Sequence, residues 1–428
     1  MKPAAELFLS LFCLCALAQA QAVDDTLLNR TALASNGSAQ YSENSLAPAN
    51  NRAAESIRLD AAESPNTTSN TQANSTDSYD KIWGYAKLFE APENTFFKSF
   101  ALSGRLQHDY ANFGGSQGSF SDDLWRRFRF GFKSQLSDEW LVHIEADIDL
   151  NQGIDTSESY RRLTDANLVW SPKGRNWKVK LLKQGAGFTL DGATSSKKLL
   201  TLQRNNLSNN LWFTSEYYSG ASITGKTKDG LWYRFGGYST DGHDDIGMSE
   251  GSYFALASAS YDFANTFEVD KAIIRADYVY NDKHEMASTR DFSRVVSISS
   301  QWQQGRWGLS TDLALGKGYD DEISAQSDVW GAVAMPYYKV SNTVELVARY
   351  TYVEGSGERS VRFGRYEREI ADGRGNQYSE GYAGINVYIY GHKLKWQSGL
   401  QYADMRDKTN SGGNYHGWGL TTGLKLYW

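Results

Sequence analysis

Residues Trp140 to Leu150 read WLVHIEADIDL. Every even position is apolar (Trp140, Val142, Ile144, Ala146, Ile148, Leu150), and His143, Glu145, Asp147 and Asp149 stand between them. In an extended chain successive side chains point to opposite sides, so one face of this segment is greasy and the other is charged. The pattern recurs outward along the chain. Phe128, Phe130 and Phe132 alternate with Arg127, Arg129 and Lys133, and Trp307, Leu309, Leu313 and Leu315 alternate with Gly308, Ser310 and Asp312. Val344, Leu346, Ala348, Tyr350 and Tyr352 flank Glu345 and Arg349, and Leu420, Leu424, Leu426 and the terminal Trp428 flank Thr421 and Lys425.

A soluble sandwich also alternates, but it turns its apolar faces inward and its charges out. Here Trp and Tyr sit mostly at the segment ends, where aromatic belts meet a membrane boundary. About sixteen such segments follow Lys98, centred near residues 104, 129, 145, 167, 180, 222, 235, 257, 275, 298, 311, 332, 348, 386, 398 and 422. An even count is what a bacterial barrel requires. Short connections (Ser137 to Glu139, Gln303 to Arg306, Tyr390 to Lys393) exchange with long ones such as Glu354 to Ser379, placing short turns in the periplasm and long loops outside. The fold class read from this is all-β: a transmembrane antiparallel β-barrel over residues 97–428, in a bacterial outer membrane.

Composition supports the same class. The 428 residues contain 13 Trp, 26 Tyr and 19 Phe but only 6 Pro, and mean hydropathy is −0.54, with no apolar run long enough for a spanning helix after the N-terminus. Residues 1–20 read as a secretory leader: Lys2, an apolar core Leu7 to Leu17, then small residues Ala18, Ala20 and Ala22. Both cysteines, Cys13 and Cys15, fall inside it, so thiol catalysis, disulfides and cysteine metal sites are excluded from the expected mature chain. Residues 21–96 read as a disordered Asn/Ser-rich extension with a short linker, too poor in large apolar residues to bury a core. Asn51 to Ser64 could form a transient helix, and the N-x-S/T triplets at Asn29, Asn36, Asn66 and Asn74 follow from composition alone.

Four stretches resemble the phosphate-selective porin O and P family: GRLQHDYANF (Gly104 to Phe113), RRFRFGFKSQL (Arg126 to Leu136), VELVARYTYV (Val344 to Val353) and GINVYIYGHKLKWQSGLQY (Gly384 to Tyr402). The resemblance implies a sixteen-stranded barrel, a homotrimer, and a third extracellular loop folded inward to narrow the pore. That loop would be Gln184 to Ser215, carrying Lys197, Lys198 and Arg204 as constriction residues. Arg105, Arg127 and Arg129 match the family's basic strand positions.

With the apolar alternate facing lipid, the basic lining of the lumen is Arg105, Arg127, Arg129, Lys133, Lys178 and Lys180 in the first half. Arg234, Lys271, Arg275, Arg349, Lys395 and Lys425 complete it. Asp109, Glu145, Asp147, Asp149, Asp165, Asp277, Asp312 and Glu345 oppose them, so bases lead on the wall although the chain is formally −6. A positive lining within low-dielectric walls concentrates anions, and arginine forks suit phosphate or carboxylate. The clustered Glu145, Asp147 and Asp149 also allow many of these charges to pair across the wall.

The acidic groups Asp241, His243, Asp244, Asp245 and Asp320, Asp321, Glu322 read as solvated outer loops, and the histidines show no zinc spacing, so no cofactor, metal or nucleic acid is expected. His108 and Ser300 fall on outward faces without a partner acid, which weighs against a barrel hydrolase. The sequence therefore reads as an outer-membrane porin for passive diffusion of small polar solutes, anion-preferring, with phosphate-type anions among its candidates. A sugar- or other solute-specific porin is the alternative. Expected partners are membrane lipids and lipopolysaccharide, small anions, two further copies, and the outer-membrane insertion machinery through Trp428.

Overall fold

The structure, a computed structural model, describes residues 76–151, 159–213, 216–242, 245–248, 251–282, 284–319, 326–371, 373–409 and 412–428. The expected leader, the segment Asn51–Ser64, the N-x-S/T triplets and His243, Asp244, Asp320, Asp321 and Glu322 lie outside the described residues.

Seventeen strands form one antiparallel sheet: β1 (Lys87–Glu90), β2 (Ser99–Gly115), β3 (Gly118–Gln135), β4 (Trp140–Ile148), β5 (Tyr160–Trp170), β6 (Trp177–Gly185), β7 (Tyr217–Lys226), β8 (Trp232–Ser239) and β9 (Tyr253–Asp262) in the first half. The second half is β10 (Lys271–Asn281), β11 (Phe292–Gln304), β12 (Trp307–Gly318), β13 (Val329–Lys339), β14 (Val344–Gly355), β15 (Gln377–Tyr390), β16 (Leu394–Arg406) and β17 (Tyr415–Tyr427). Strands β2 to β17 close the ring, because β17 pairs back onto β2 from Gly417↔Gly115 to Tyr427↔Arg105. The wall is a sixteen-stranded barrel, and each segment centre read from the sequence falls within one of these strands.

The alternation has the polarity of a membrane cylinder. On the outside, Phe130, Leu313 and Leu424 are 45%, 61% and 45% exposed; on the inside, Arg129 and Asp312 are 2% and 0% exposed. Two aromatic girdles bound the apolar band. Trp140–Trp170 (5.9 Å), Trp170–Trp177 (5.5 Å) and Trp307–Tyr338 (4.5 Å) lie toward the short-turn end. Trp330–Tyr352 (5.4 Å) and Tyr402–Trp418 (5.0 Å) lie toward the long-loop end. Replacing Leu313 with Arg puts a charge on the lipid face, and should cost about 2–4 kcal/mol of barrel stability near the bilayer midplane. Denaturant unfolding in phospholipid vesicles checks this, with Leu313→Met as the neutral control.

At the seam Trp428 N–H donates to Gly104 O at 3.3 Å, and Gly104 N–H returns a bond to Trp428 O at 3.2 Å. A side chain at Gly104 would meet the Trp428 indole at 2.4 Å, so the closing register leaves room only for glycine there.

Among the described residues of 21–96, the stretch read from sequence as an unordered extension and linker, two ordered elements lie. Helix α1 (Thr76–Gly84) is too short to persist alone, but Tyr79 stacks on Tyr390 at 5.2 Å and the Trp83 indole N–H donates to Tyr427 O at 2.6 Å. Strand β1 follows it and pairs with the first residues of β2. Tertiary contact stabilises what local sequence does not.

Candidate functional site: the narrowed lumen

Between β6 and β7 the chain turns into the barrel. It forms two short helices, α2 (Leu190–Ala193) and α3 (Asn206–Leu211), whose starts are satisfied by side chains: Thr189 Oγ1 accepts from Gly192 N–H and Asn205 Oδ1 from Ser208 N–H. The loop's apolar side chains Phe188, Leu207, Leu211 and Phe213 are buried against wall residues such as Tyr218 and Phe254. Each such side chain contributes roughly 1.5–3 kcal/mol, so the loop is packed against one side of the wall. This is the in-folded third loop that the family resemblance implied.

Its backbone is also held by buried wall charges. Asp277 accepts from Thr189 N–H at 3.1 Å and Asp312 from Leu190 N–H at 2.8 Å. Arg349 donates to Thr201 Oγ1 (2.8 Å) and Gln203 O (3.1 Å), Lys395 to Leu199 O (2.8 Å) and Lys425 to Leu202 O (3.3 Å). Thr189 adopts φ 66, an unfavourable conformation for a β-branched residue. Its N–H bond to Asp277 and its hydroxyl bond to Ser208 hold it there.

A second loop folds inward, which the sequence reading did not foresee. Residues Ser360, Val361, Phe363, Tyr366, Glu367 and Ala371, between β14 and β15, are buried. Helix α3 clamps this loop: Asn206 Nδ2 and Asn210 Nδ2 donate to Arg362 O at 2.8 and 3.1 Å, and Arg362 N–H donates to Asn210 Oδ1 at 2.8 Å. Four residues apart, the two asparagines share one helix face. Both loops converge on the wall at Asp109, which accepts from Gln203 Nε2 (2.7 Å) and the Tyr366 hydroxyl (3.1 Å).

Where the loops meet, one cavity is lined by Arg126, Arg127, Arg204, Arg290, Arg362, Arg365 and Arg368, with Glu216 as its single carboxylate among the described residues. Seven guanidinium groups against one carboxylate leave six formal positive charges. Arg126 Nε, Arg290 Nη1 and Arg365 Nε are buried and find no acceptor among the described residues. The crowding is visible in the ionisation of the loop residues. Burial and then Arg362, Arg368 and Arg374 pull the Arg290 guanidinium down to about 9. Burial and then Arg374 lower Arg362 to about 10. Glu216 is affected most by burial, which pushes its carboxyl upward, but Arg204, Arg127, Arg129 and Arg162 together hold it at about 2.

The sequence-derived basic residues divide by what they touch. Arg105 bonds Ser196 Oγ (2.8 Å) and Glu145 (3.1 Å), Arg129 lies 3.5 Å from Asp147, Arg275 pairs with Asp277 (2.8 Å) and Arg349 with Glu380 (2.8 Å). Arg234 donates to Tyr238 Oη at 2.7 Å and Lys271 to Gln301 at 2.6 Å. Lys178 is buried on the inner face of β6, while Lys133 and Lys180 are half-buried. The three loop residues are not brought together. Lys197 lies over the Tyr427 ring at 4.6 Å toward the short-turn end, and Lys198 is half-buried beside it in sequence. Arg204 joins the arginine cavity, over the Trp212 ring at 4.4 Å. His108 lies 3.5 Å from Asp123, whereas Ser300 bonds Thr311 and Trp302.

Arg126, Arg290, Arg362, Arg365, Arg368 and the buried Lys183 were missed. Two of them, Arg126 and Lys183, carry a signal in the spacing of outward apolar residues. Trp125 and Phe128 both face out with two residues between them, which demands a bulge; the pairing skips Arg126 as β2 passes from Gln107 to His108. Leu181 and Leu182 are likewise consecutive apolar residues, both exposed, and Lys183 turns inward after them. The loop arginines recur every third residue in RFGRYER (Arg362 to Arg368), a spacing that gathers side chains on one side of a tight turn.

Glu367 gives the second loop a pH dependence. It accepts from Gly364 N–H (2.7 Å), the Tyr378 hydroxyl (2.8 Å) and Gln401 Nε2 (2.9 Å), while burial and then Glu380 push its carboxyl up to about 7. A carboxyl raised above its usual value near 4.3 favours the seated loop fully below that value, and the advantage is lost as pH rises through about 7. Current fluctuations recorded between pH 5.5 and 8.5 should therefore increase on the alkaline side, and Glu367→Gln should flatten the profile.

The model of a family described as phosphate-selective porin O and P matches residues 100–321. No curated protein matches the chain. Among solved structures, an anion-selective porin from Comamonas acidovorans aligns at TM-score 0.54 with 12% identity, over 77% of this chain and 99% of that one. OmpF of Salmonella typhi, in complex with daunomycin, aligns at 0.53 with 12% identity, over 80% and 100%. The outer membrane channel DcaP of Acinetobacter baumannii aligns at 0.50 with 9% identity, over 79% and 100%. At these identities the likeness is one of fold.

Proposed function

The chain belongs to the phosphate-selective porin O and P family, a bacterial outer-membrane porin forming a water-filled channel, and on that premise we propose that its channel prefers small anions, with phosphate-type anions among those it carries. The observation that carries this reading is the arginine cavity: seven guanidinium groups and one carboxylate where the two inward loops meet. Fixed positive charge between low-dielectric walls concentrates anions. Several forks within reach of one another let a bound oxyanion move on rather than stay. The paired wall residues, such as Arg275 with Asp277 and Arg349 with Glu380, serve mainly to hold wall and loop in shape.

The anion-selective character named for the Comamonas porin of similar fold agrees with this reading. So does the family description, which is our reason for placing phosphate within the solute class. We extend the proposal to a homotrimer in the outer membrane, with lipopolysaccharide around its outer rim and Trp428 presented to the insertion machinery. Transport here is passive, and the chain's own contribution is a hole of fixed width and a charged lining.

The phosphate part is tested by adding inorganic phosphate to a chloride-conducting channel in a planar bilayer. A saturable fall in chloride current supports a site that holds phosphate. An unchanged current removes phosphate from the solute class.

A further inference from the structure

The segment preceding the barrel carries apolar side chains into open surroundings. Tyr85, Leu88, Phe89, Phe96 and Phe97 are all exposed, Phe96 by 69%. Strand β1 lies where the wall is incomplete. Pairing on this side of β2 runs from Gly115 to Arg105, opposite Tyr427, and on to the Gly104–Trp428 bonds, so the residues of β2 before Gly104 have β3 on one side and no barrel strand on the other. Strand β1 occupies that edge, with Glu90↔Ser99, Phe89↔Phe100 and Lys87↔Ala101 as partners. Leu102 N–H donates to Ala86 O and Ala91 N–H to Lys98 O, both at 2.8 Å.

The depth of this edge follows from the register. Phe100 is opposite Ser134, Ser134 is opposite Val142, and Val142 is two residues from Trp140 of the short-turn girdle. Phe89, opposite Phe100, is therefore at the level of the apolar band. The rings are continuous with that band: Phe89–Phe97 at 5.3 Å, Phe97–Phe100 at 6.5 Å and Phe100–Phe132 at 5.1 Å, with Phe132 in the same outward row as Phe130. Unpaired backbone groups are not tolerated against hydrocarbon, and β1 supplies the missing partners where the wall would expose them.

We propose that β1 and the turn after it, Lys87 to Phe97, form a seventeenth, lipid-embedded segment of the wall, seated among the phospholipid acyl chains of the periplasmic leaflet. Lys87 pairs with Glu90 at 3.2 Å and Lys98 with Asp138, so the charges at its two ends are balanced, and α1 is held at the periplasmic mouth, tying the N-terminal extension to the seam of the barrel. The occupant of the aromatic surface is lipid because its rings continue the lipid-facing row.

A nitroxide label on Phe89→Cys, with Phe96→Cys as a second variant, tests this in the full protein reconstituted in phosphatidylethanolamine and phosphatidylglycerol vesicles. Cys13 and Cys15 are the sequence's only cysteines, and both lie in the expected leader. Collisions with dissolved oxygen should exceed those with a water-soluble nickel chelate at both positions, as at a Phe130→Cys reference and opposite to a Lys173→Cys reference in the β5–β6 turn. Dominant nickel collisions would place the segment in water and overturn the proposal. Shielding from both reagents with dipolar broadening between labels would overturn it in favour of a second copy of the chain.

Discussion

Replacing Arg362, Arg365 and Arg368 together by glutamate should abolish anion preference and turn the channel neutral or cation-preferring. The cavity carries seven guanidinium groups and one carboxylate, and three substitutions, each changing the charge by two, bring its formal charge from six positive to zero. At ~8 Å and an effective dielectric of ~20, one fixed charge is worth ~2 kcal/mol to a monovalent ion. Mobile salt screens much of this, and a residual of ~1.4 kcal/mol corresponds to a tenfold change in occupancy. The expected result is therefore a fall of roughly tenfold in the chloride-to-potassium permeability ratio at low salt, shrinking as salt rises. Alanine at the same positions should give an intermediate value. An unchanged ratio in a folded triple variant would remove the cavity from the permeation path.

The second large effect is expected at the seat of the third loop. Asp312 accepts from Leu190 N–H (2.8 Å) and Ser297 Oγ (2.7 Å), and is fully buried. Bonds to a charged acceptor contribute about 1.5–3 kcal/mol each, and their loss leaves a buried N–H orphaned. Asp312→Ala combined with Asp277→Ala removes both carboxylates that cap the loop's first turn, including the one that holds Thr189 at its strained φ. The loop's first turn then loses its seat on the wall, and single-channel conductance should rise, by roughly twofold, since resistance is set at the narrowest level. Asp312→Asn keeps an acceptor for Leu190 N–H and should stay near the parent conductance. The apolar anchors Phe188, Leu207 and Leu211 remain in every variant, so the barrel itself should survive.

What could be read from the sequence follows from where the physics is local. Period-two alternation is imposed residue by residue by the lipid on one side and water on the other. The wall therefore emerged from segments such as Trp140 to Leu150, and the inner-face charges Arg129, Glu145, Asp312 and Arg349 with it. Alternation failed where the backbone adds a residue, at Arg126, and where Leu182 takes φ 73 without any break in pairing, although unequal spacing of outward apolar residues marks both places.

The loops were less legible because their conformation depends on contacts far away in sequence. Nothing near Arg362 announces that Asn206 and Asn210 will hold its backbone from the other inward loop. A trace was present even so. Val361, Phe363 and Tyr366 are poor residues for a solvated loop, and their burial against the wall brings the arginines between them into the lumen. The charges on which the proposed anion preference rests thus lie largely outside the strands from which it was first inferred.

Zero-current potential across a bilayer holding the unmodified protein between two potassium chloride concentrations bears most directly on the arginine cavity as the seat of selectivity. The sign belonging to chloride permeation, weakening as total salt increases, is the predicted result. A potential of the sign belonging to potassium, at low salt and neutral pH, would contradict it.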